Sequence, residues 1–310
     1  MSITSSSYVY ASRRELALAR LNAYLELSKP RIASLVLVVV AVSAFAGHWG
    51  PPQLWIWLHT LLGTALVAAS ASTFNQLLER SCDARMERTA GRPLPSGRLT
   101  TKQAISFGVV TLAIGVAELT LLVNMLAALL GGLTWLFYVV LYTPLKSKTA
   151  ANTAVGAVAG ALPVLIGWAA VGASFSITGG PLPDGMYVAA LFLIVYLWQF
   201  PHFMAIAWIY RHQYSAAGLQ MLTVVDSTGR RAGAQAVLGA LALAPISLLP
   251  ALQMPSRVYL AGALSLSIAY LAAAVLFCWR RDQRSARFLL QTSLVYLPVL
   301  LILLVLSPWV

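Results

Sequence analysis

The chain has 310 residues, of which 59% are apolar and only 10% charged, with a formal net charge of +12 and a mean hydropathy of +0.79. A water-soluble domain carries about a quarter charged residues and a disordered chain has the opposite balance, so this composition excludes both. The positive charge does not indicate nucleic acid either, because no separate basic domain carries it.

Apolar stretches of about 20 residues, the length that crosses a ~30 Å hydrocarbon layer, recur along the chain. The predicted spans are 32–48, 54–78, 103–123, 126–143, 151–173, 186–208, 233–252, 258–279 and 288–306. Only Asn124-Met125 separates the third from the fourth. One helix in their place would be about twice the length needed to span, so a break is placed there. Residues 1–28 read as a polar, flexible cytoplasmic N-terminus without a removable signal peptide. Residues 29–310 form a single transmembrane domain. The expected fold is all-α, a polytopic bundle of nine transmembrane helices with a central cavity open to the cytoplasmic side.

The 21 lysines and arginines fix the orientation. With the N-terminus inside, every one except Arg257 falls on the cytoplasmic side, as the positive-inside rule requires. The C-terminus is then outside, and most of the net charge is topology signal. The long polar segments 75–102, 142–152 and 198–231 follow or end spans that run inward. A site built from several helices is therefore expected at the cytoplasmic mouth. Cys82 and Cys278 lack metal-ligand spacing and read as inert.

Three of the nine acidic residues, Glu79, Asp83 and Glu87, lie within nine positions. Asn75, Glu79 and Asp83 are spaced by fours, so a helix stacks them on one face. Two carboxylates and an amide oxygen make an all-oxygen site suited to Mg²⁺, which keeps several waters and shares substrate phosphates. Arg80, Arg88, Arg92 and Arg98 accompany them, suited to bidentate contacts with phosphate oxygens. Carboxylates alone would suggest a proton path and arginines alone a headgroup patch; both together point to a metal-bound diphosphate. An amphipathic interfacial loop is the plainer alternative, but Asn75 and Glu79 end an apolar span, where burying polar groups is expensive. Pro93 and Pro95 then stop the helix.

In the second segment Tyr142, Lys146, Lys148, Thr149 and Asn152 offer cations, hydroxyls and an amide for further diphosphate contacts, although an ordinary positive-inside loop has the same composition. Gly156, Gly160 and Gly167 follow, small residues that let helices approach closely. In the third segment Pro201 is expected to break or kink its span. His202 follows it as either a hydrogen-bonded core residue or a ligand contact. Trp198, Phe200, Phe203 and Trp208 suit a flat apolar ligand or plain packing. His48 and His59 carry no pattern, and Glu118, near an outer helix end, is expected to pair or snorkel.

Taken together, these segments resemble the intramembrane prenyltransferases of the UbiA superfamily, within it the branch that farnesylates protohaem IX. The resemblance runs from about Lys29 to the C-terminus. It rests on Asn75-x-x-x-Glu79-Arg80-x-x-Asp83-x-x-Met86-x-Arg88-Thr89-x-x-Arg92-Pro93-Leu94, on Tyr142 through Asn152, and on Pro201-His202-Phe203. Quinone-type members look instead like Asn-Asp-x-x-Asp-x-x-x-Asp. The resemblance implies farnesyl diphosphate as donor and haem B as acceptor, a hydroxyethylfarnesyl group built at one vinyl position, and one or two Mg²⁺ ions. It implies Asn75, Glu79, Asp83, Arg88 and Lys146 as catalytic residues, and Arg80, Arg92, Lys148, Tyr142, Asn152, His202 and Tyr214 as binding residues. It further implies an inner (plasma) membrane location, with lipid and a haem A synthase as partners. The lack of an Arg-rich transit segment favours a bacterial over a mitochondrial membrane.

One position departs from the family. Members generally carry an acidic pair just before the tyrosine that Tyr214 matches, whereas this chain has His212 and Gln213 after Arg211. Tyr214 and Gly218 still match. Asp226 is the expected replacement as a metal ligand, provided its loop folds over the cavity mouth, and His212 is a candidate contact to haem propionates or iron. Two other functions share parts of this pattern. A prenyltransferase acting on a quinone or chlorin ring differs only in its product. A transporter would need gates on both faces, and no inverted repeat is visible.

Overall fold

The computed structural model describes residues 13–180, 182–253 and 255–309. All regular structure among them is helical. The helix α1 (Arg13–Leu27) precedes nine helices long and apolar enough to cross a membrane: α2 (Pro30–His48), α3 (Leu54–Leu78), α4 (Thr101–Leu122), α5 (Met125–Leu145), α6 (Asn152–Ala170), α7 (Asp184–Ile209), α8 (Arg230–Gln253), α9 (Arg257–Arg280) and α10 (Gln283–Trp309). The break between α4 and α5 falls where expected. Asn124 caps α5 by accepting from the Ala127 amide at 2.8 Å, and its own amide donates to the Ala169 carbonyl at 2.8 Å.

Successive spans pack side by side and α10 returns to α2, while α2 also packs on α6 and α7 on α10. The small-residue stripe of α6 makes these approaches possible. A Cβ on Gly167 would collide with the Val40 carbonyl of α2, one on Gly160 with the Gln199 side chain of α7, and one on Gly156 would lie 2.6 Å from the Tyr142 ring. These glycines serve packing, and Gly156 additionally gives the Tyr142 ring its place.

Two local expectations are corrected. The N-terminal segment is not flexible throughout: from Arg13 to Leu27 it is helical, with Ala23 and Leu27 buried against Leu94, Leu99 and Ala104. The Leu27 carbonyl accepts from Gln76 Nε2 at 2.7 Å, which ties α1 to the C-terminal end of α3. Residues 1–12 lie outside the described part. Nor does Pro201 break its span, because α7 continues as one helix from Asp184 to Ile209.

Candidate active site

The C-terminal end of α3 sets the frame. The helix stops at Leu78, and Glu79 leaves helical geometry with φ −91° and ψ 6° before one further turn, Arg80–Asp83. The Glu79 amide still bonds the Asn75 carbonyl at 3.0 Å and the Asp83 amide the Glu79 carbonyl at 2.7 Å. The expected stripe of Asn75, Glu79 and Asp83 is therefore kept although the helix is interrupted.

Each member of the stripe holds a cation. Lys29 Nζ donates to Asn75 Oδ1 at 2.7 Å. Lys146 Nζ lies 2.8 Å from Glu79 Oε1, and Arg92 Nη1 2.7 Å from Asp83 Oδ2. Lys29 was missed by sequence reasoning, which counted it only as topology charge. It occupies the hinge between α1 and α2 in the left-handed region, φ 50°, a conformation that costs a non-glycine residue about 1–2 kcal/mol. The Lys-Pro pair ahead of a span was the signal available.

The cluster is enclosed. Burial, with the Arg92 and Lys146 cations beside it, brings the Lys29 ammonium down to about 7, against the opposing pull of Glu79 and Asp83. Burial would lower Lys146 as well, but Glu79, then Tyr142 and Tyr138, hold it well above its ordinary value.

The second segment is shaped by Pro144. Proline lacks an N–H and clashes with the carbonyl four residues back, and the preceding turn widens into a π-helix over Phe137–Tyr142, closed by the Thr143 amide on the Tyr138 carbonyl. Such single π-turns concentrate at functional sites. Here the widening sets Thr143 Oγ1 3.1 Å from Asn75 Nδ2, as its acceptor, and the Tyr142 ring 4.5 Å from Lys146 Nζ.

The third segment closes over the first. The Arg88 guanidinium stacks 4.4 Å from the Tyr210 ring centre, and its Nη2 donates to the Tyr214 hydroxyl at 3.3 Å. The Arg88 amide donates to Gln213 Oε1 at 3.4 Å. Gln213 thus has a task as a clasp on the Arg88 loop. The Gln220 amide bonds the Lys146 carbonyl at 2.7 Å, and buried Asn152 donates to the Thr149 carbonyl at 2.6 Å and the Gln220 carbonyl at 3.3 Å.

Several expected residues stand elsewhere. Arg80 is exposed and donates to Thr101 Oγ1 at 3.2 Å. Arg98 bonds the Gly91 carbonyl and pairs with Glu26 at 2.7 Å, fastening the loop to α1. Lys148 is exposed at the loop surface, and His212 is exposed too. The structure does not bring Asp226 to the stripe. Its Oδ1 accepts from the Thr228 hydroxyl at 2.6 Å and its Oδ2 from the Arg231 amide at 2.8 Å, so it caps the start of α8. Those bonds, Thr228 first and Arg231 next, hold its carboxyl below the usual range. Glu118, near the end of α4, pairs as expected, 2.6 Å from His59 near the start of α3. Trp198 and Trp208 are buried packing residues.

The donor set fits a hard cation. Asp83 is 1% exposed and its Oδ1 has no hydrogen-bond partner, a costly vacancy for a buried carboxylate oxygen unless a cation takes it. Among the described residues no three His, Cys, Asp or Glu side chains converge. A cation here must then draw ligands from the Asn75 amide, water and a substrate, the habit of Mg²⁺.

Comparison with known proteins places this arrangement. The model of the UbiA prenyltransferase family matches residues 35–305. The protoheme IX farnesyltransferase of Solibacter usitatus is 44% identical over 290 residues, covering 89% of this chain and 95% of that protein. That of Rhodopirellula baltica is 40% identical, covering 91% and 98%. Among solved structures, a digeranylgeranylglyceryl phosphate synthase superposes with a TM-score of 0.75 at 17% identity, over 93% of this chain and 98% of that one. A UbiA homologue from Archaeoglobus fulgidus, bound to DMAPP and Mg²⁺, gives 0.64 at 18%, over 89% and 99%; at such identity these two share the fold. The chain belongs to the UbiA prenyltransferase family.

Proposed function

We propose that the protein is a Mg²⁺-dependent prenyltransferase that moves the farnesyl group of farnesyl diphosphate onto a vinyl group of haem B, giving haem O. The observation that carries this reading is the buried stripe of Asn75, Glu79 and Asp83 with Lys29, Lys146 and Arg92 seated on its oxygens. The relatives named above, similar over nearly their whole length, carry that activity in their names.

Mg²⁺ held by Asn75, Glu79 and Asp83 supplies positive charge against the leaving diphosphate when bound. The chain's own cations do the same work. When diphosphate enters, Lys29, Lys146 and Arg92 exchange carboxylate and amide oxygens for phosphate oxygens, and Arg88, braced by Tyr210 and Tyr214, adds a guanidinium fork as a fourth cation. Charge placed in advance where negative charge develops is usually the largest single contribution to such catalysis. The allylic cation left behind is kept from water by the apolar bundle until the vinyl π-electrons capture it.

We assign one Mg²⁺, because Gln213 is a neutral clasp and Asp226 a helix cap. We place the enzyme in a bacterial inner membrane, in keeping with its bacterial relatives, and orient it with the N-terminus cytoplasmic and the C-terminus outside on the distribution of lysine and arginine. A haem A synthase is the partner that the product requires. The test is turnover by the purified protein in lipid nanodiscs with farnesyl diphosphate, haem B and Mg²⁺. Farnesylated haem that disappears when Mg²⁺ is chelated supports the reading; prenylation of an added quinone with haem B left unchanged contradicts it.

A further inference from the structure

The reaction leaves an electron-deficient carbon beside the porphyrin ring, and haem O carries a hydroxyl there, so one water must be admitted and must lose a proton. The strongest carboxylate candidates are engaged, Glu79 by Lys146 and Asp83 by Arg92. Deeper in the bundle, His202 Nδ1 lies 2.8 Å from Ser293 Oγ. A hydroxyl has one proton to give, and Ser293 Oγ gives it to the Leu290 carbonyl at 2.6 Å. With that proton on the Leu290 carbonyl, Ser293 Oγ is an acceptor for an Nδ1 hydrogen, and the tautomer this arrangement favours has Nε2 as the bare nitrogen of the neutral ring.

The ring is also held in place. It stacks on Trp198 with centres 4.8 Å apart. Trp198 Nε1 donates to the Ser293 carbonyl at 2.8 Å, and Tyr270 donates to the Trp198 carbonyl at 2.9 Å. His202 shares a helical face with Leu191 and Val195, four and seven residues apart in turn. Those two line a small apolar cavity bounded by α2, α6 and α10, so this face of α7 looks into the bundle. Steps of four from His202 reach Tyr210, whose ring carries Arg88. Eight residues of helix place His202 about 12 Å deeper than that contact.

We propose that His202 Nε2 is the general base that takes the proton of this water, and that Ser293 is the positioning residue that fixes its tautomer. The inference rests on the farnesyl-to-haem reading. As the donor C–O bond breaks, its electron pair leaves with diphosphate. The vinyl π pair forms the carbon–carbon bond to farnesyl C1. A water lone pair then forms the carbon–oxygen bond at the ring-side carbon, and the proton of that water passes to Nε2 and on to the released diphosphate. No oxidant or reductant is needed.

The test follows product mass in H₂¹⁸O with the full-length protein in nanodiscs. His202→Asn keeps a donor for Ser293 and most of the packing but removes Nε2. It is expected to cut formation of the ¹⁸O-labelled hydroxyl product about 100-fold or more, the usual worth of a general base. Residual product is expected to shift toward an alkene lighter by one water, with haem B and farnesyl diphosphate binding retained. Ser293→Ala is expected to lose about 10-fold and Ser293→Thr, which keeps a hydroxyl, to recover part of it. Labelled product from His202→Asn at the native rate, or equal loss from the Ala and Thr variants at position 293, overturns the proposal. If the unmodified protein farnesylates no haem at all, it is the functional reading that fails.

Discussion

Lys29 Nζ donates to Asn75 Oδ1 at 2.7 Å across 46 residues of sequence, which joins the hinge before the first span to the end of the second. With Lys146 on Glu79 and Arg92 on Asp83, it completes a set of three cations parked on the oxygens that a metal would use. Without substrate the cations compensate the buried oxygens. On the proposed function, the cations would turn to the entering diphosphate and the freed oxygens would be available to Mg²⁺.

Replacing Asp83 by Asn keeps the volume and removes the charge. Turnover is expected to fall about 10²–10³-fold or more, the range for losing one preorganised electrostatic group, while the protein still extracts and unfolds as a single species. Initial rates across a Mg²⁺ titration check this. An Asp83→Asn variant with native rates and native Mg²⁺ dependence would remove Asp83 from the ligand set.

Lys29→Met keeps most of the apolar stem and removes the ammonium. A hydrogen bond to a charged group is worth about 1.5–3 kcal/mol, so the apparent affinity for farnesyl diphosphate is expected to fall about 10–100-fold. Haem B binding and thermal stability are expected to change little. Separate titrations of donor and acceptor in nanodiscs decide it.

Asp226→Asn is expected to leave the Mg²⁺ concentration for half-maximal activity unchanged, since both carboxylate oxygens serve the turn that starts α8. The variant should instead lose modest thermal stability, about 1 kcal/mol on the scale of helix caps. Because the Asp226 carboxyl is held below its usual range, principally by Thr228, its stabilisation is present above the ordinary carboxylate pKa. It is lost as pH falls through the depressed value. Thermal melts of both proteins between neutral and acid pH show whether the difference closes.

Gly167→Ala is expected to destabilise the bundle by about 1–3 kcal/mol, the cost of overpacking, because the new Cβ meets a backbone carbonyl, that of Val40. Gly160→Ala should cost less, as the group in its way is a Gln199 side chain. Unfolding in mild detergent ranks the two.

The spans were legible because a hydrocarbon layer demands about 20 apolar residues wherever it is crossed. Leu54–Leu78 matches its predicted bounds, and α10, at Gln283–Trp309 against 288–306, begins five residues early, where polar residues continue the helix into water. Asn75, Glu79 and Asp83 were legible because fourfold spacing survives the interruption at Glu79. Lys29 was not: composition does not separate a half-buried, site-facing cation from the exposed Arg31 two positions on, since both satisfy the same sidedness rule. Arg80 and Arg98 were placed with the site for the same reason, and only the path of the loop turns them outward. Asp226 misled by its charge, although Asp-Ser-Thr-Gly is also a turn signal, with the aspartate bonding the backbone that follows.

The central claim is tested most directly in cells that lack their own haem O. Expression of this chain there, followed by mass analysis of extracted haems, is predicted to show haem B carrying one added farnesyl group and one added hydroxyl, and none from the Asp83→Asn variant. Haem B alone, at normal levels of membrane-inserted protein, would contradict it.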